Sequence, residues 1–367
     1  MLRYEREDGC RAWLTHARSQ PRGLADLYQR FLSAEAIYDA VRREGEKPLK
    51  EYLSPANARR LVETSKPETM HRMMIAMRDS QMQVVALDDP DYPPSLAAID
   101  DPPVFLFAVG ETACMQRRCL AVVGARRATP RAFADCRNIC QSLSEHGVTI
   151  VSGLAVGIDT AAHEGSLSGP TPGIGVAACG LDVDYPTASS GLKRELLEHG
   201  GLLLSECPPG TRPFKGVFNM RNRVISGLSK GVAVIECQIR SGTMTTVDAA
   251  LTQGREVFAR PGDPGSEYSE GTRSLLRDGA RFFQLAEDIL EDLGWNDDPV
   301  TAGPALPEES LTPDMRLVLK VLHTGVRGFD ELANETGLDV GSLSISLTML
   351  QMTGHIMALP GKTYSVV

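Results

Sequence analysis

The chain of 367 residues lacks the features that would mark a membrane, secreted or zinc protein. No apolar run approaches the roughly 18 residues that a membrane helix needs, and the start, MLRYEREDGC, is charged where a signal peptide would turn apolar. We therefore expect no membrane span and a cytoplasmic location. The eight cysteines include no C-x-x-C pair and no Cys/His set at zinc spacing, which predicts reduced core thiols and no metal site.

A surplus of positive charge is also missing, because the formal net charge is -9. That balance argues against a nucleic-acid partner, since binding to phosphates is driven by Lys and Arg. The basic residues, however, are concentrated in two stretches free of acidic residues: Arg117, Arg118, Arg126, Arg127 and Arg131 in one, and Arg212, Lys215, Arg221, Arg223 and Lys230 in the other. If folding brings the two stretches together, they form one anion site.

Changes in pattern divide the chain into five segments. Residues 1–82 carry apolar side chains at three- and four-residue spacing, which predicts a small helical domain, and residues 83–117 form a proline-rich, extended connector. Residues 118–295 alternate short apolar strands with helices, which predicts an α/β domain with a parallel sheet. A proline-rich acidic linker at 296–310 leads to residues 311–367, whose helices and final strands follow the order of a winged helix.

The loops that follow the strands of the α/β domain are the expected place for a ligand, because ligands of open parallel sheets bind beyond the carboxyl ends of the strands. Strands are predicted at 119–123, 148–151, 174–178, 202–205, 232–236 and 256–259. The loops contain small residues beside helix starts, namely Gly124, Ser152, Gly153, Gly157, Ser241, Gly242 and Thr243. Each alone fits an ordinary turn or cap, but together they suit phosphate.

Arginines and their neighbours supply the rest of the candidate site. They are Arg126 and Arg127 after the first strand, Phe214 and Lys215 in a later loop, and Arg221, Asn222 and Arg223 in the predicted helix that follows it. Arginine binds phosphate bidentately and stacks on flat bases, so it fits both halves of an exposed nucleotide. The alternative is a solvated helix face, or salt bridges to aspartates of the neighbouring loops.

Catalytic patterns are weak. Asp159 and His163 lie four residues apart and could form an acid/base pair, but no nucleophile accompanies them, and a helix cap with a packed histidine is the simpler interpretation. We predict no catalysis and no cofactor. In the winged helix, the segment VGSLSISLTMLQMTG has no charged residue, which favours protein contact over the reading of duplex DNA.

Five motifs resemble one family in their order and spacing. VVGAR, VSGLAVGIDTAAHEG, CGLDVDYP, LLLSECPPGTRPFKGVFNMRNRVISGLS and RSGTMTTVDAALTQGREVFARPG are similar to segments of the DNA-processing protein A family, also called DprA or Smf. The resemblance implies an extended Rossmann-like domain between a helical SAM-like domain and a winged helix. It also implies a homodimer that binds single-stranded DNA and loads the RecA recombinase during natural transformation. By the same resemblance, Arg126, Lys215, Arg221 and Arg223 would line the DNA pocket.

The chain departs from the family pattern at three places. Ala125 stands where the family usually has the serine of Gly-Ser-Arg, so one hydroxyl contact to phosphate is lost. Asn219 stands where a proline usually precedes the Arg-Asn-Arg motif, and SQPRGLADL lacks the paired glycines of a helix-hairpin-helix.

Two other functions compete with this hypothesis. The first is a nucleotide-processing enzyme, such as a phosphoribohydrolase acting on nucleoside monophosphates, for which Asp248 is the carboxylate offered beside the SGTMTT loop. The second is a transcription regulator that uses the winged helix.

Overall fold

A computed structural model of the chain describes residues 6–17, 21–263, 265–295, 311–322, 327–352, 356–359 and 363–366. The chain divides into two compact units: residues 1–144 and 148–296 make up the first, and residues 145–147 and 297–367 make up the second. The linker predicted at 296–310 lies outside the described residues. Among the helices that the structure describes, none is long and apolar enough to cross a membrane.

A nine-stranded sheet forms the centre of the first unit. Its strands are β1 (Gln83–Ala86), β2 (Phe105–Gly110), β3 (Arg118–Val123), β4 (Val148–Gly153), β5 (Ile174–Val176), β6 (Leu202–Ser205), β7 (Gly231–Val234), β8 (Glu256–Ala259) and β9 (Arg281–Phe282). The order is β1-β2-β6-β5-β4-β3-β7-β8-β9. The seven strands from β3 onward pair in parallel with one another, whereas β1 and β2 are antiparallel. The predicted parallel α/β fold is thereby confirmed.

Chain direction across the sheet reverses at β3, and this reversal positions the site. From β3 the chain moves to β4, β5 and β6 on one side, and then returns to β7 and β8 on the other. The connections after β3 and β7 therefore leave in opposite directions and open a crevice at the carboxyl ends of the two strands.

Helices cover both faces of the sheet. They are α1 (Arg6–Leu14), α2 (Pro21–Phe31), α3 (Ala34–Glu44), α4 (Pro55–Thr64), α5 (Pro67–Asp79), α6 (Pro94–Ala97), α7 (Pro130–Glu145), α8 (Ile158–Leu167), α9 (Ser190–Glu198), α10 (Val217–Leu228), α11 (Gly242–Thr252), α12 (Glu270–Arg277) and α13 (Ala286–Asp292). Five of these start at a proline, because proline fits the first helical position without losing a hydrogen bond.

Alternate residues of the central strands face two different helix layers. Leu120 and Val122 of β3 pack with α7, α8 and α13, whereas Ala121 and Val123 pack with α10 and α11. This two-residue alternation follows from the pleat of a strand. All eight cysteines are free and buried, as the sequence predicted.

Strands β1 and β2 lie within the segment that was expected to be an extended connector. Phe105 and Phe107 of β2 pack under the N-terminal helices with Trp13, while Leu106 and Ala108 face the α/β core. Trp13 also donates from Nε1 to the carbonyl of Leu61 at 3.1 Å. The N-terminal helices and the first two strands therefore share one hydrophobic core.

The second unit is a winged helix, as predicted. Its elements are α14 (Pro313–Leu322), β10 (Arg327–Gly328), α15 (Phe329–Thr336), α16 (Val340–Met352), β11 (Ile356–Leu359) and β12 (Thr363–Val366), and its sheet has the order β10-β12-β11. Val318, Leu332, Leu343 and Leu347 form its core. The uncharged helix α16 exposes Val340 and Ile345.

Candidate nucleic-acid interface

A cavity of about 740 Å³ lies at the carboxyl ends of β3, β7 and β8. Its lining includes Gly124, Ala125, Arg126, Arg127, Asp159, Lys215, Phe218, Asn219, Arg221, Asn222, Gln238, Ser241, Gly242, Thr243, Glu267 and Tyr268. The two basic stretches of the sequence thus contribute to the same cavity. Two of the three departures from the family pattern, Ala125 and Asn219, also lie at its surface.

Three cations of the cavity are exposed: Arg126, Arg127 and Lys215. None of them forms an ion pair within 4.0 Å to a carboxylate of the residues that the structure describes. The guanidinium carbon of Arg126 lies 5.5 Å from the centroid of the Phe218 ring, a cation–π distance that holds the arginine at the cavity wall. These three side chains are therefore available to an anionic ligand.

Arg221 is different because its side chain is only 9% exposed. Nη1 donates to the carbonyl of Val176 at 3.2 Å and lies 4.0 Å from Oδ2 of Asp159. Burial lowers the pKa of Arg221 and raises the pKa of Asp159, and the attraction between the two charges opposes both effects. Arginine remains protonated even so, and it places a fixed positive charge beneath the cavity floor.

Gly153 makes room for that buried guanidinium. A Cβ at position 153 would lie 1.7 Å from Nη1 of Arg221 and 2.4 Å from Oδ2 of Asp159. Gly153 was predicted to lie close to a phosphate. In the structure it lets the end of β4 lie close to the guanidinium of Arg221.

Gly157 supports the loop that carries Arg126. Its φ is +91°, and a Cβ there would lie 2.3 Å from the carbonyl oxygen of Ala125 and 2.6 Å from that of Arg126. The amide of the next residue, Ile158, donates to the Ala125 oxygen at 3.1 Å. Only glycine combines this backbone angle with so close an approach. Gly157 therefore fixes how closely the Arg126 backbone packs against the start of α8.

Glu236 fixes the same loop from the other side. Its backbone oxygen accepts from the amide of Ala125 at 2.7 Å, and its carboxylate accepts from the amide and the hydroxyl of Thr129 at 2.8 and 3.1 Å. The carboxylate accepts these two bonds and forms no ion pair within 4.0 Å with an arginine of the described residues. The sequence offered no signal for this role, because Glu236 was predicted to be the last residue of a strand.

The first turn of α11 forms another wall. Ser241 precedes the helix, and a Cβ on Gly242 would meet nothing within 4 Å, so this turn is open. Thr243 Oγ1 donates to the carbonyl of Gly124 at 3.0 Å, and Nδ2 of Asn222 donates to Thr245 Oγ1 at 2.6 Å. The side chains thus tie the helix start to its neighbours, while the helix dipole and the first-turn amides that lack an i−4 carbonyl partner favour an anion.

Five residues predicted for the site are not among those lining the cavity: the two glycines described above, Gly153 and Gly157, and also Ser152, Phe214 and Arg223. Ser152 is fully buried, and its hydroxyl donates to the carbonyl of Val122 at 2.6 Å. Arg223 is buried and pairs with Glu206 and Asp101. Phe214 is partly exposed outside the lining residues.

Helix geometry explains the position of Arg223. Residues 221 and 223 are two apart in α10, which turns their side chains about 200° from one another. Phe218 lies three residues before Arg221 and therefore shares its face. Projection of this segment onto a helical wheel would have placed Phe218, rather than Phe214, beside Arg221 in the site. It would also have placed Arg221 and Arg223 on different faces of the helix.

The Asp159 and His163 pair has no acid/base geometry. Asp159 is held by Arg221, and its Oδ2 accepts from the amide of Ala155 at 3.4 Å. His163 is fully buried, and burial lowers its pKa to about 4, so its ring is neutral at pH 7. The histidine is a core residue.

Comparisons with known proteins agree with this architecture. The sequence model of the family described as DNA recombination-mediator protein A matches residues 83–294, and that of the DprA winged helix domain matches residues 302–362. The chain belongs to the DNA recombination-mediator protein A family. The resemblance seen in the sequence is thereby confirmed.

Relatives of this family are similar over most of their length. Protein Smf of Escherichia coli K12 is 39% identical over 286 residues, which cover 76% of this chain and 76% of Smf. DNA processing protein DprA of Bacillus subtilis 168 is 39% identical over 223 residues, which cover 60% of this chain and 75% of DprA.

Two solved structures of the family share the fold. The structure of DprA from Streptococcus pneumoniae has a TM-score of 0.65 and 30% identity, and it covers 76% of this chain and 95% of that protein. DNA processing protein A of Helicobacter pylori, described for its single-stranded DNA binding mode, has a TM-score of 0.53 and 30% identity, with 58% of this chain and 97% of that protein covered.

Proposed function

We propose that the chain is a recombination mediator that binds single-stranded DNA in the cavity, loads RecA onto the strand, and catalyses no reaction itself. One observation carries the proposal: the exposed cations Arg126, Arg127 and Lys215 surround an open helix start and an aromatic ring in one cavity. Cations and amides suit phosphates, and the ring suits an unstacked base.

The shape of the site favours single strands over duplex. A concave cavity with Arg126 over Phe218 receives a nucleotide whose base is free to leave its stack. Paired bases within a duplex present only their edges in the grooves, and helix α16, which occupies the place of a recognition helix, has no charged residue to read them. The relative from Helicobacter pylori, which binds single-stranded DNA, supports the same choice.

A homodimer is part of the proposal. Strand β9 ends the sheet, and Phe282 on it and Leu285 just beyond it are more than half exposed. A second copy that covers this edge would remove an unpaired strand and an apolar patch from water. Two cavities on one strand of DNA would then add avidity. A protein that loads RecA onto DNA inside the cell would act in the cytoplasm, so this location is part of the proposal.

The competing hypothesis of a phosphoribohydrolase has less support. That reaction needs a carboxylate beside the phosphate loop, and Asp248, which the sequence offered, is not among the residues that line the cavity.

Fluorescence anisotropy of a labelled single-stranded oligonucleotide across a salt series tests the proposal. For single strands, log K falls with log salt by about 0.7 per phosphate neutralised, so Arg126→Ala should weaken binding and flatten the slope by about 0.7. Arg194→Ala is the matched control, since Arg194 is exposed on α9 and lies outside the cavity lining. Equal effects of both variants, or equal affinity for duplex DNA, would refute the proposed site.

Loading is tested by RecA's DNA-dependent ATP hydrolysis on single strands coated with single-strand-binding protein. The wild-type chain should shorten the lag before ATP hydrolysis by RecA. With Arg126→Ala the lag should return toward that of RecA alone. A lag that the wild-type chain leaves unchanged would refute the mediator role and leave DNA binding standing.

A further inference from the structure

One further wall of the cavity was not indicated by the charge pattern of the sequence. Gln238 follows β7, and Glu267 and Tyr268 follow β8, and all three line the cavity. Strands β3, β7 and β8 are successive neighbours, so the loop after β8 lies two strand spacings, or about 10 Å, along the sheet from the loop of Arg126. The cavity is therefore cationic at one end and carries a carboxylate and a phenol at the other.

Hydrogen bonds hold this wall in place. The amide of Tyr268 donates to Ser266 Oγ at 3.2 Å within a 3-10 turn. Arg273 donates from Nη1 to the carbonyl of Asp263 at 2.8 Å, which secures the loop before the turn. The amide of Gly271 donates to the carbonyl of Cys237 at 2.9 Å, which ties the start of α12 to the end of β7. The position of Tyr268 is thus set by its backbone rather than by a ligand.

The chemistry of the wall excludes phosphate and suits a base. A carboxylate repels a phosphate, so the anion of a nucleotide belongs beside Arg126 and the start of α11. Nε2 of Gln238 donates to Oε2 of Glu267 at 3.3 Å, which orients the carboxylate and leaves its second oxygen able to accept. Carboxylates accept from the exocyclic amino group of cytosine, whereas thymine carries a carbonyl oxygen at that position. The ring of Tyr268 offers a face for stacking.

We propose that Gln238, Glu267 and Tyr268 form a base subsite that favours amino-bearing bases over thymine. The subsite would take the base of a nucleotide whose phosphate lies at the cationic end of the cavity. The inference rests on the proposed function, because it assigns a preference to the strand that the cavity binds.

Competition between pyrimidine oligonucleotides tests this preference. Unlabelled oligo-dC and oligo-dT of equal length compete with a labelled mixed-sequence strand at pH 8, and both are pyrimidine strands without duplex partners. For the wild-type protein, oligo-dC should compete about threefold to tenfold better than oligo-dT, the range of one hydrogen bond. Glu267→Gln should bring this ratio close to one, while its lost negative charge raises the affinity for both strands.

Matched variants separate base recognition from general charge. Glu63→Gln removes the same charge from an exposed position on α4 and should leave the ratio unchanged. Tyr268→Ala should weaken binding of both strands at least threefold, and Tyr268→Phe should keep wild-type affinity, because stacking needs the ring alone.

The outcomes distinguish this inference from the proposed function. Failure of the wild-type protein to bind any oligonucleotide overturns both. Tight binding with equal affinity for the two strands, or a preference that Glu267→Gln leaves intact, overturns the base subsite alone.

Discussion

The buried position of Arg223 gives a sharp test of the structure, because the family pattern assigns this residue to the DNA pocket. Its guanidinium pairs with Glu206 at 2.5 Å and with Asp101 at 3.2 Å, and its side chain is 10% exposed. The carbonyl of Asp101 accepts a further bond at 2.6 Å. The perturbation is Arg223→Ala, which we expect to reduce stability and leave DNA binding intact in the folded protein.

The size of the effect follows from the burial of Glu206, whose side chain is 14% exposed. Removal of one partner from a buried ion pair costs about 3–5 kcal/mol when the remaining charge stays ionised, which for Glu206 requires a pH well above 7. Since 1 kcal/mol shifts the Tm of a domain of 150–250 residues by about 2–4 °C, the variant should melt about 6–20 °C below the wild type. Asp101 is half exposed and adds little.

The loss should depend on pH. Burial raises the pKa of Glu206 to about 7, although Arg223 opposes that rise. A raised carboxyl pKa contributes stability that is present below the unfolded pKa and is lost as the pH rises through the folded pKa. Without Arg223 the ionised form is still less favourable. The gap in Tm between wild type and variant should therefore be largest above pH 7 and should shrink as the pH falls.

Thermal unfolding followed by circular dichroism between pH 5 and 8 measures the gap, and anisotropy well below the Tm of the variant measures DNA binding. The double variant Arg223→Met with Glu206→Leu replaces the pair by apolar side chains and should recover most of the stability. An unchanged Tm together with a salt slope flattened by about 0.7 would refute the reasoning, because it would show that Arg223 contacts phosphate.

Two further predictions concern Gly157, which supports the loop of Arg126, and the buried His163. Gly157→Ala should lower the affinity for single strands at least tenfold, since its Cβ would collide with the loop of Arg126, whereas Gly191→Ala, where a Cβ meets nothing, should bind as the wild type in the same anisotropy assay. His163, whose pKa burial lowers to about 4, should cost the wild type up to about 3 kcal/mol of unfolding free energy as the pH falls from 6.5 toward 4. Urea unfolding should show that the free energy of unfolding of His163→Leu lacks this loss between pH 6.5 and 4. A pH dependence identical to that of the wild type would contradict the burial of His163.

The parallel sheet could be predicted from the sequence because each central strand is a short apolar run between helices. All six predicted strands occur, although β5 ends at Val176 and β7 ends at Val234, each two residues before its predicted end. Strands β1, β2 and β9 could not be recognised in the same way. The first two lie among prolines and pair antiparallel, and the two-residue β9 exposes Phe282, so neither its length nor its burial gives a strand pattern.

The loops that line the cavity could be predicted from the sequence, whereas the directions of several side chains could not. Loop position is a property of topology, and the crevice at β3 and β7 follows from the strand order. Side-chain direction is a property of the helix, and neighbours in a motif such as Arg-Asn-Arg point to different surroundings. Glu267 and Tyr268 were missed because their loop contains no surplus of positive charge, which was the feature used to choose residues.

The arginines at the cavity differ in exposure, and we expect only the exposed ones to contribute to the slope of log K against log salt. Arg221 is buried and paired with Asp159. It therefore positions the residues beneath the cavity and should not contribute to the salt dependence of binding. Arg126, Arg127 and Lys215 are the exposed cations of the cavity. Three phosphates neutralised at about 0.7 each give a slope close to 2 per cavity, far below that of the ten basic residues in the two stretches. A slope near 7 would mean that the cations outside the cavity contact the strand as well.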